Sequence, residues 1–293
     1  MTYSYWNNDS YFVQYTKMGK KLMSNLEGYS SFWPRRILVI FSSLVLFFLT
    51  APLVILIIQS FTNESYLSFP PPTYGTRWYT EVIYSEDWQN ATFLSLTIAI
   101  IVTPLSLVLG TLVAFGLERG PKKGKQTIQA IMISPMVLPH IVLGLGLFKI
   151  ALQFNISDSL WAFVPAHLTI TIPFVIVTVG ASLQTFNTSL EEAARSLGAS
   201  KFWAVWYITL PIISPGLIAG AIFSFIISFD EFIITFFLAT FQRTLPLEMF
   251  STLMYQVKPS IAAVSALTLA ITAILTVVLM FRGQVVGGGK IIK

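Results

Sequence analysis

Two adjacent carboxylates, Asp230 and Glu231, interrupt a long apolar stretch in the last third of the chain. Ionisable side chains inside a membrane span are costly, so they usually serve a transport path, a proton relay or a partner on another helix. At about 100° per residue, one helical face carries the polar residues Ser224, Ser228, Glu231 and Thr235. This stripe predicts a path that suits a cationic solute, with a hydrogen bond between helices as the alternative role of Glu231. Asp230 points toward the apolar side of the same helix, where it needs a partner from another helix.

A second charged group lies in Glu191–Pro211, which reads EEAARSLGASKFWAVWYITLP. Thr188 to Glu191 and Ser189 to Glu192 both fit the capping box that begins a helix. The pattern predicts a helix from about Leu190 to Leu197, ended by a left-handed Gly198. A second short helix follows, capped by Ser200, and Pro211 marks the start of the next span.

This helix–turn–helix has a face with little side chain, because Ala193 and Ala194 are adjacent on the first helix. Another chain can approach closely there, and Glu192 beside the alanines offers a charged anchor. The alternative is a hairpin that merely joins two spans.

The elements that position these residues are membrane helices. The chain has 293 residues, of which 55% are hydrophobic and 11% are charged, whereas soluble domains carry about 25% charged residues. A helix of about 20 apolar residues spans the hydrocarbon core. Six stretches qualify, and we therefore predict an all-α membrane protein with six spans: 37–60, 92–116, 128–150, 160–183, 212–238 and 259–281. At 1.5 Å per residue, Asp230 and Glu231 lie roughly 27 Å from the start of the fifth span, in its outer part.

The distribution of basic residues predicts the orientation. Of the 18 Lys and Arg residues, 14 lie in the segments 1–36, 117–127, 184–211 and 282–293. Basic loops favour the cytoplasm, so both termini and the segment 184–211 are predicted to be cytoplasmic, and 61–91 external. The predicted organisation is an N-terminal extension (1–36), a six-span domain (37–283) and a cytoplasmic tail (284–293). The segment 61–91 has the composition of a small external cap.

The chemistry of a metalloenzyme or an ATPase is not indicated. The chain has no cysteine and two histidines, His140 and His167, so a metal site is not expected. The sequence from Gly120 to Gln126 has one residue too few between its glycines and lacks the hydroxyl residue of a phosphate-binding loop. No nucleophile–base pair is evident, and the basic balance reflects a membrane surface rather than nucleic acid.

The spacing in the segment 184–211 resembles the EAA loop of the integral-membrane permease subunits of ABC importers. Glu192-Ala193-Ala194 is followed after three residues by Gly198, and after nine more by Ile208, with Leu210-Pro211 completing the pattern. The resemblance extends over about 80–282. It implies a type I ABC importer permease-like bundle whose cytoplasmic coupling helix docks on an ATPase, with docking residues Glu191, Glu192, Ala193, Ala194 and Gly198.

The resemblance also implies partners: two ATP-binding subunits that hold ATP and Mg, a second and different permease, and an external or periplasmic solute-binding protein. The protein would lie in a bacterial inner membrane. The stretches Ser228–Thr235, Thr244–Pro246 and Ser134–Pro139 are most similar to the second permease subunit of spermidine/putrescine transporters. Opine, iron(III) and other small-solute permeases share parts of them. A secondary carrier that uses Asp230 or Glu231, and a membrane enzyme or scaffold, are the remaining alternatives.

Overall fold

A computed structural model describes residues 32–121 and 123–287. Residues 1–31 of the predicted N-terminal extension and 288–293 of the predicted tail lie outside this part. The chain divides into two compact units, Met1–Leu56 and Ile57–Lys293. The helices of the described residues are α1 (Phe32–Ser60), α2 (Arg77–Tyr84), α3 (Glu86–Arg119), α4 (Lys125–Ile133), α5 (His140–Gln153), α6 (Leu160–Gln184), α7 (Ser189–Ser196), α8 (Lys201–Ala204), α9 (Leu210–Ile212), α10 (Ser214–Phe229), α11 (Ile233–Leu238), α12 (Leu245–Tyr255) and α13 (Ser260–Gly287).

Membrane-spanning length is reached by four helices among the described residues: Arg36–Ser60, Glu86–Arg119, Leu160–Gln184 and Ser260–Val278. Two bent helix pairs add up to two further spans, Lys125–Met136 with His140–Gln153 and Lys201–Ile212 with Ser214–Phe229. The predicted positions of six apolar stretches therefore all fall on helices, but the third and fifth are not continuous.

The third predicted span, 128–150, is wrong as a single helix, because the chain bends by 94° between Met136 and His140. Pro139 has no amide hydrogen and disfavours helical geometry at the residue before it. A short 3₁₀ turn, Ser134–Met136, ends the first half. By contrast, Pro104 in α3 and Pro173 in α6 lie inside continuous helices.

The fifth predicted span, 212–238, is also wrong as a single helix. It is bent by 71° where α9 meets α10, and it is interrupted again between Phe229 and Ile233. No proline or glycine lies in this second break. Instead, the carboxylate of Glu231 accepts the backbone N–H of Ile234 at 2.9 Å, so a side chain competes with the backbone for the hydrogen bond that would continue the helix.

The centre of the second unit is formed by α3, α6 and α10. Small residues allow these helices to approach closely, as is common in membrane bundles. A Cβ added at Gly110 of α3 would lie 2.6 Å from Cβ of Val175 in α6, and one at Gly216 of α10 would lie 2.8 Å from the carbonyl oxygen of Thr178. An apolar cluster that includes Ile98, Phe163 and Ile234 joins this centre to α11.

The segment predicted as a small cap, 61–91, contains a turn and the short helix α2, and its buried side chains pack against α10, α12 and α13. Thr62 and Tyr74 form an isolated antiparallel bridge, and α2 follows. The indole of the buried Trp78 donates a 2.9 Å hydrogen bond to the carbonyl oxygen of Glu64. This segment lies at the start of α3, and the segment 184–211 lies near its end, so the two mark opposite ends of the bundle.

Candidate functional site

The first helix of the segment 184–211 begins one residue earlier than predicted, at Ser189, and ends at Ser196. The two predicted capping boxes are wrong. Thr188 has helical geometry and its side chain makes no capping hydrogen bond, and the hydroxyl of Ser189 donates to the side chain of Asn187. Instead, the amide oxygen of Asn187 accepts hydrogen bonds from the backbone N–H and the hydroxyl of Ser189, at 3.1 and 2.8 Å. An Asx turn therefore starts the helix.

The turn after α7 follows the prediction. Gly198 has φ of 96°, a left-handed conformation that glycine adopts without a steric penalty. The N–H of Ala199 donates to the carbonyl oxygen of Ala194 at 3.1 Å, which closes the end of the helix. Ser200 then caps α8 by accepting the N–H of Trp203 at 3.4 Å.

Glu191 is the residue that attaches α7 to the bundle. Arg119, the last residue of α3, donates two hydrogen bonds to its carboxylate, at 2.9 and 2.6 Å. The hydroxyl of the buried Thr209, at the end of the π-helical turn Val205–Thr209, donates to the same carboxylate. One carboxylate thus joins three elements: α7, the end of α3 and the π-helical turn before α9.

The environment of Glu191 keeps it ionised. Burial raises the pKa of this carboxyl group, but hydrogen bonds from Arg119 and Thr209, with the charges of Arg119 and Lys201, outweigh burial and hold the pKa below its ordinary value. The guanidinium of Arg119 also lies 4.7 Å from the ring centre of Phe115. Sequence reasoning missed Arg119 and Thr209, since they lie 72 and 18 residues from Glu191.

The opposite side of this segment is exposed. Glu192, Ala193 and Gly198 are exposed, whereas Ala194 is half-buried. The carboxylate of Glu192 makes no ion pair or hydrogen bond with the described residues. Leu197, between α7 and the turn, exposes 90% of its surface. Charge, bare backbone and an apolar side chain are therefore presented together. We call this set (Glu192, Ala193, Leu197 and Gly198) the docking face, after the contact that the sequence resemblance predicts.

The second candidate site is the break after α10. Glu231 is 94% buried there, since only 6% of its surface is exposed. One carboxylate oxygen accepts the N–H of Ile234 at 2.9 Å, and the other lies 3.2 Å from Nδ1 of His140, at the start of α5. The structure therefore gives Glu231 partners within the bundle.

Asp230, its neighbour, is exposed. Its carboxylate makes no hydrogen bond or ion pair with the described residues; only its backbone N–H is engaged, by Ile226. The prediction that Asp230 points toward the apolar side of a continuous helix is wrong, because the helix ends at Phe229. An unpartnered carboxylate in a span is costly against lipid, so its exposure indicates water or another chain at this position.

The predicted polar stripe lies in the interior of the chain. Ser224, Ser228 and Thr235 are buried together with Glu231. Ser228 and Thr235 contact the two ring nitrogens of His167 in α6, whereas the hydroxyl of Ser224 has no hydrogen-bond partner. Within this chain, the stripe therefore contacts other helices, and Asp230 is the member of the predicted set that is exposed.

A cavity of about 910 Å³ opens at the end of the bundle that carries the segment 61–91. It is lined by the carboxylates of Asp87 and Glu248 and by the exposed rings of Trp161 and Phe241. Glu248 is paired with Arg243 at 3.0 Å. Carboxylates and aromatic faces both attract organic cations. Sequence reasoning did not find this cavity, because its walls come from three distant parts of the chain.

Comparisons with known proteins agree with this architecture. Residues 106–286 match the family described as the binding-protein-dependent transport system inner membrane component. The chain is 29% identical over 256 residues to the spermidine/putrescine transport system permease protein PotC of Shigella flexneri, covering 86% of this chain and 97% of that protein. It is 32% identical over 260 residues to the putrescine transport system permease protein PotI of Escherichia coli K12, covering 86% and 91%.

A solved structure shows the same fold. The crystal structure of a bacterial ABC transporter involved in the import of the acidic polysaccharide alginate matches with a TM-score of 0.65 and 15% identity, over 86% of this chain and 98% of that chain. At this identity the match describes the fold alone. The family match covers more than half of the chain, and it includes the segment 184–211 and the break after α10. The chain therefore belongs to the family of binding-protein-dependent transport system inner membrane components and is a multi-pass inner-membrane permease subunit of an ABC importer.

Proposed function

We propose that this permease imports a small polyamine, such as putrescine or spermidine, delivered by a periplasmic binding protein. The observation that carries the proposal is Asp230, an exposed carboxylate without a partner among the described residues, beside a break in a span. A carboxylate on a water-filled path lowers the energy of a cation there. The relatives named as putrescine and spermidine/putrescine permeases support the same class of solute.

The path runs from the cavity beside Asp87 and Glu248 to the break at Asp230. Trp161 and Phe241 at the cavity supply aromatic faces for ammonium groups. Arg243 neutralises Glu248 at this point, so Asp87 is the uncompensated carboxylate at the mouth. A second permease, different from this chain, closes the other side of the path.

The docking face is the contact with an ATP-binding subunit. Two such subunits bind ATP and Mg and close when ATP binds, and Glu191 passes their motion to α3 because Arg119 is the end of that helix. In this arrangement Glu191 positions the coupling helix, whereas the docking face and the half-buried Ala194 beside it meet the ATPase. The segment 184–211 and both termini are cytoplasmic, and 61–91 faces the periplasm, in accord with the distribution of basic residues.

Uptake by the complete transporter tests the proposal. The chain is expressed with its native partner subunits in cells that lack polyamine import, and entry of labelled putrescine and spermidine is measured. We expect saturable uptake that requires ATP and the binding protein, and that excess opine or iron(III) does not compete. Uptake of an opine or iron(III) in place of polyamine would contradict the substrate. Uptake by the chain alone under an ion gradient would instead establish a secondary carrier.

A further inference from the structure

We infer that His167 is a positioning residue that holds the break after α10 in place and thereby turns Asp230 away from the bundle core toward the transport path. The inference rests on the path role proposed for Asp230. It assigns a transport role to a buried side chain that does not itself meet the solute.

The imidazole of His167 bridges the two sides of the break. Its Nδ1 lies 3.0 Å from the hydroxyl of Ser228, in the last turn of α10, and its Nε2 lies 3.2 Å from the hydroxyl of Thr235, in α11. Only 1% of its surface is exposed. Since His167 belongs to the continuous helix α6, both ends of the broken helix are attached to the same rigid element.

The hydroxyl of Thr235 also lies 3.3 Å from the carbonyl oxygen of Glu231, inside the break. A neutral imidazole has one donor and one acceptor nitrogen in either tautomer, and each hydroxyl can donate or accept. A neutral imidazole satisfies both hydroxyl groups in this way, and the same bridge reaches the backbone of the break itself.

A second histidine, His140 of α5, also contacts the break after α10. His140 lies 3.2 Å from the carboxylate of Glu231, which also accepts the N–H of Ile234. Gly144, one turn further along α5, leaves room for Phe237 of α11, since a Cβ there would lie 2.6 Å from the ring. The start of α11 is therefore held by α5 as well as by α6.

The direction of Asp230 depends on the break. In a continuous helix, residue 230 would share a face with Ile227 and Ile234, which are three and four positions away. Ile234 is fully buried in the apolar cluster with Ile98 and Phe163, and Ile227 packs against that cluster. A straight helix would thus turn Asp230 toward this core, and the interruption at 230–232 is what allows Asp230 to be exposed.

The chain contains no cysteine, so a single thiol can report on this geometry. Asp230→Cys is expressed with the native partner subunits, and permeabilised membranes are treated with a water-soluble cationic methanethiosulfonate reagent. The rate of labelling of the purified chain is then measured. We expect Cys at position 230 to react readily, and Ile234→Cys, at a fully buried position, to remain unlabelled.

The bridge is then removed in the Asp230→Cys background by Thr235→Val, which keeps the shape of the side chain but deletes its hydroxyl. The Thr235 hydroxyl contacts both His167 and the carbonyl oxygen of Glu231. Loss of even one buried hydrogen bond shifts such an equilibrium by about five- to a hundredfold, so we expect labelling to slow by about fivefold or more. Thr235→Ser restores a hydroxyl and is expected to restore the rate. Ser106→Ala is the matched control, because it deletes an equally buried hydrogen bond, 2.6 Å to Thr171, that does not cross the break.

The outcomes separate the inference from the proposed function. Fast labelling that slows with Thr235→Val, but not with Thr235→Ser or Ser106→Ala, supports the positioning role. Equal rates in all of these variants overturn that role while leaving Asp230 on a water-filled path. An unreactive thiol at position 230 overturns the path itself. Gel filtration of each variant confirms that the labelled chain is folded, and His167→Gln tests the imidazole directly.

Discussion

Two pairs of adjacent acids, Glu191 with Glu192 and Asp230 with Glu231, are used in the same way at two places in the bundle. In each pair one carboxylate is largely buried and bound by a basic side chain from another helix: Arg119 for Glu191 and His140 for Glu231. The other carboxylate is exposed and has no side-chain partner among the described residues. In both pairs, one acid therefore holds the backbone in place, and the other can contact water or another chain.

The two pairs differ in what surrounds them. Glu191 lies in a regular helix and receives a bidentate pair from an arginine that is always charged. Glu231 lies in a break and meets a histidine, which is charged only when protonated. The segment with α7 is therefore attached firmly to α3, whereas the break after α10 is held by several weaker contacts. This difference suits the docking role and the path role proposed above.

The largest expected effect is on Glu191. We predict that Glu191→Ala lowers the free energy of unfolding by about 3 kcal/mol, because it leaves the half-buried guanidinium of Arg119 without its counter-ion. The thermal midpoint and folded yield of the detergent-solubilised complex measure this. Glu192→Ala, next to it, is the matched control and should be stable; equal loss in both variants would remove the distinction between the two acids.

The next effect concerns the docking face. We predict that Glu192→Lys leaves the chain folded but reduces uptake about tenfold or more, since reversing a charge at a complementary contact costs several kcal/mol. Co-purification of the ATP-binding subunit and solute-stimulated ATP hydrolysis should fall together. Glu86→Lys, an exposed acid at the start of α3, should retain the ATPase. Normal coupling in Glu192→Lys would contradict the docking assignment.

A smaller effect is expected at Asp230. A solvated ion pair contributes about 1 kcal/mol at most, so Asp230→Asn should reduce the catalytic efficiency of polyamine uptake by roughly fivefold. The folded yield should be unchanged, whereas Glu231→Gln, which alters the buried contact with His140, should lower it. An Asp230→Asn transporter that imports polyamine at the normal rate would exclude a solute-binding role for this carboxylate.

The smallest effect is a pH dependence of stability. The pKa of Glu191 lies below its ordinary value of 4.5 in the folded protein. Its contribution is therefore fully present above about pH 4.5 and is lost as the pH falls through the lowered folded-state pKa. We predict that the stability difference between the normal chain and Glu191→Gln is constant from pH 5 to 8 (roughly) and narrows only in stronger acid. Thermal melting across this range measures it.

These residues show which features of the fold and the candidate sites can be predicted from the sequence. Apolar length located the four helices of membrane-spanning length and the two bent helix pairs, and Gly198 identified the end of α7, because both depend on local composition and conformation. The break at Glu231 and the cap at Asn187 were not predicted, because both depend on side-chain contacts. Arg119 binds the carboxylate of Glu191, and His140 contacts that of Glu231. These pairs are 72 and 91 residues apart in the sequence, so rules based on neighbouring residues do not predict them. A helical wheel also assumes a continuous helix, and it therefore placed Asp230 on the apolar side of α10.

Four neutralised variants, compared in one experiment, test most directly whether one acid of each pair stabilises the fold while the other serves transport. Glu191→Gln, Glu192→Gln, Asp230→Asn and Glu231→Gln are each purified with the native partner subunits, and folded yield and ATP-driven uptake are measured side by side. We predict that Glu191→Gln and Glu231→Gln lose folded complex, whereas Glu192→Gln and Asp230→Asn keep it and lose uptake per folded complex. Stable complexes of the first two with full uptake, or unfolding of the last two, would contradict this assignment of roles.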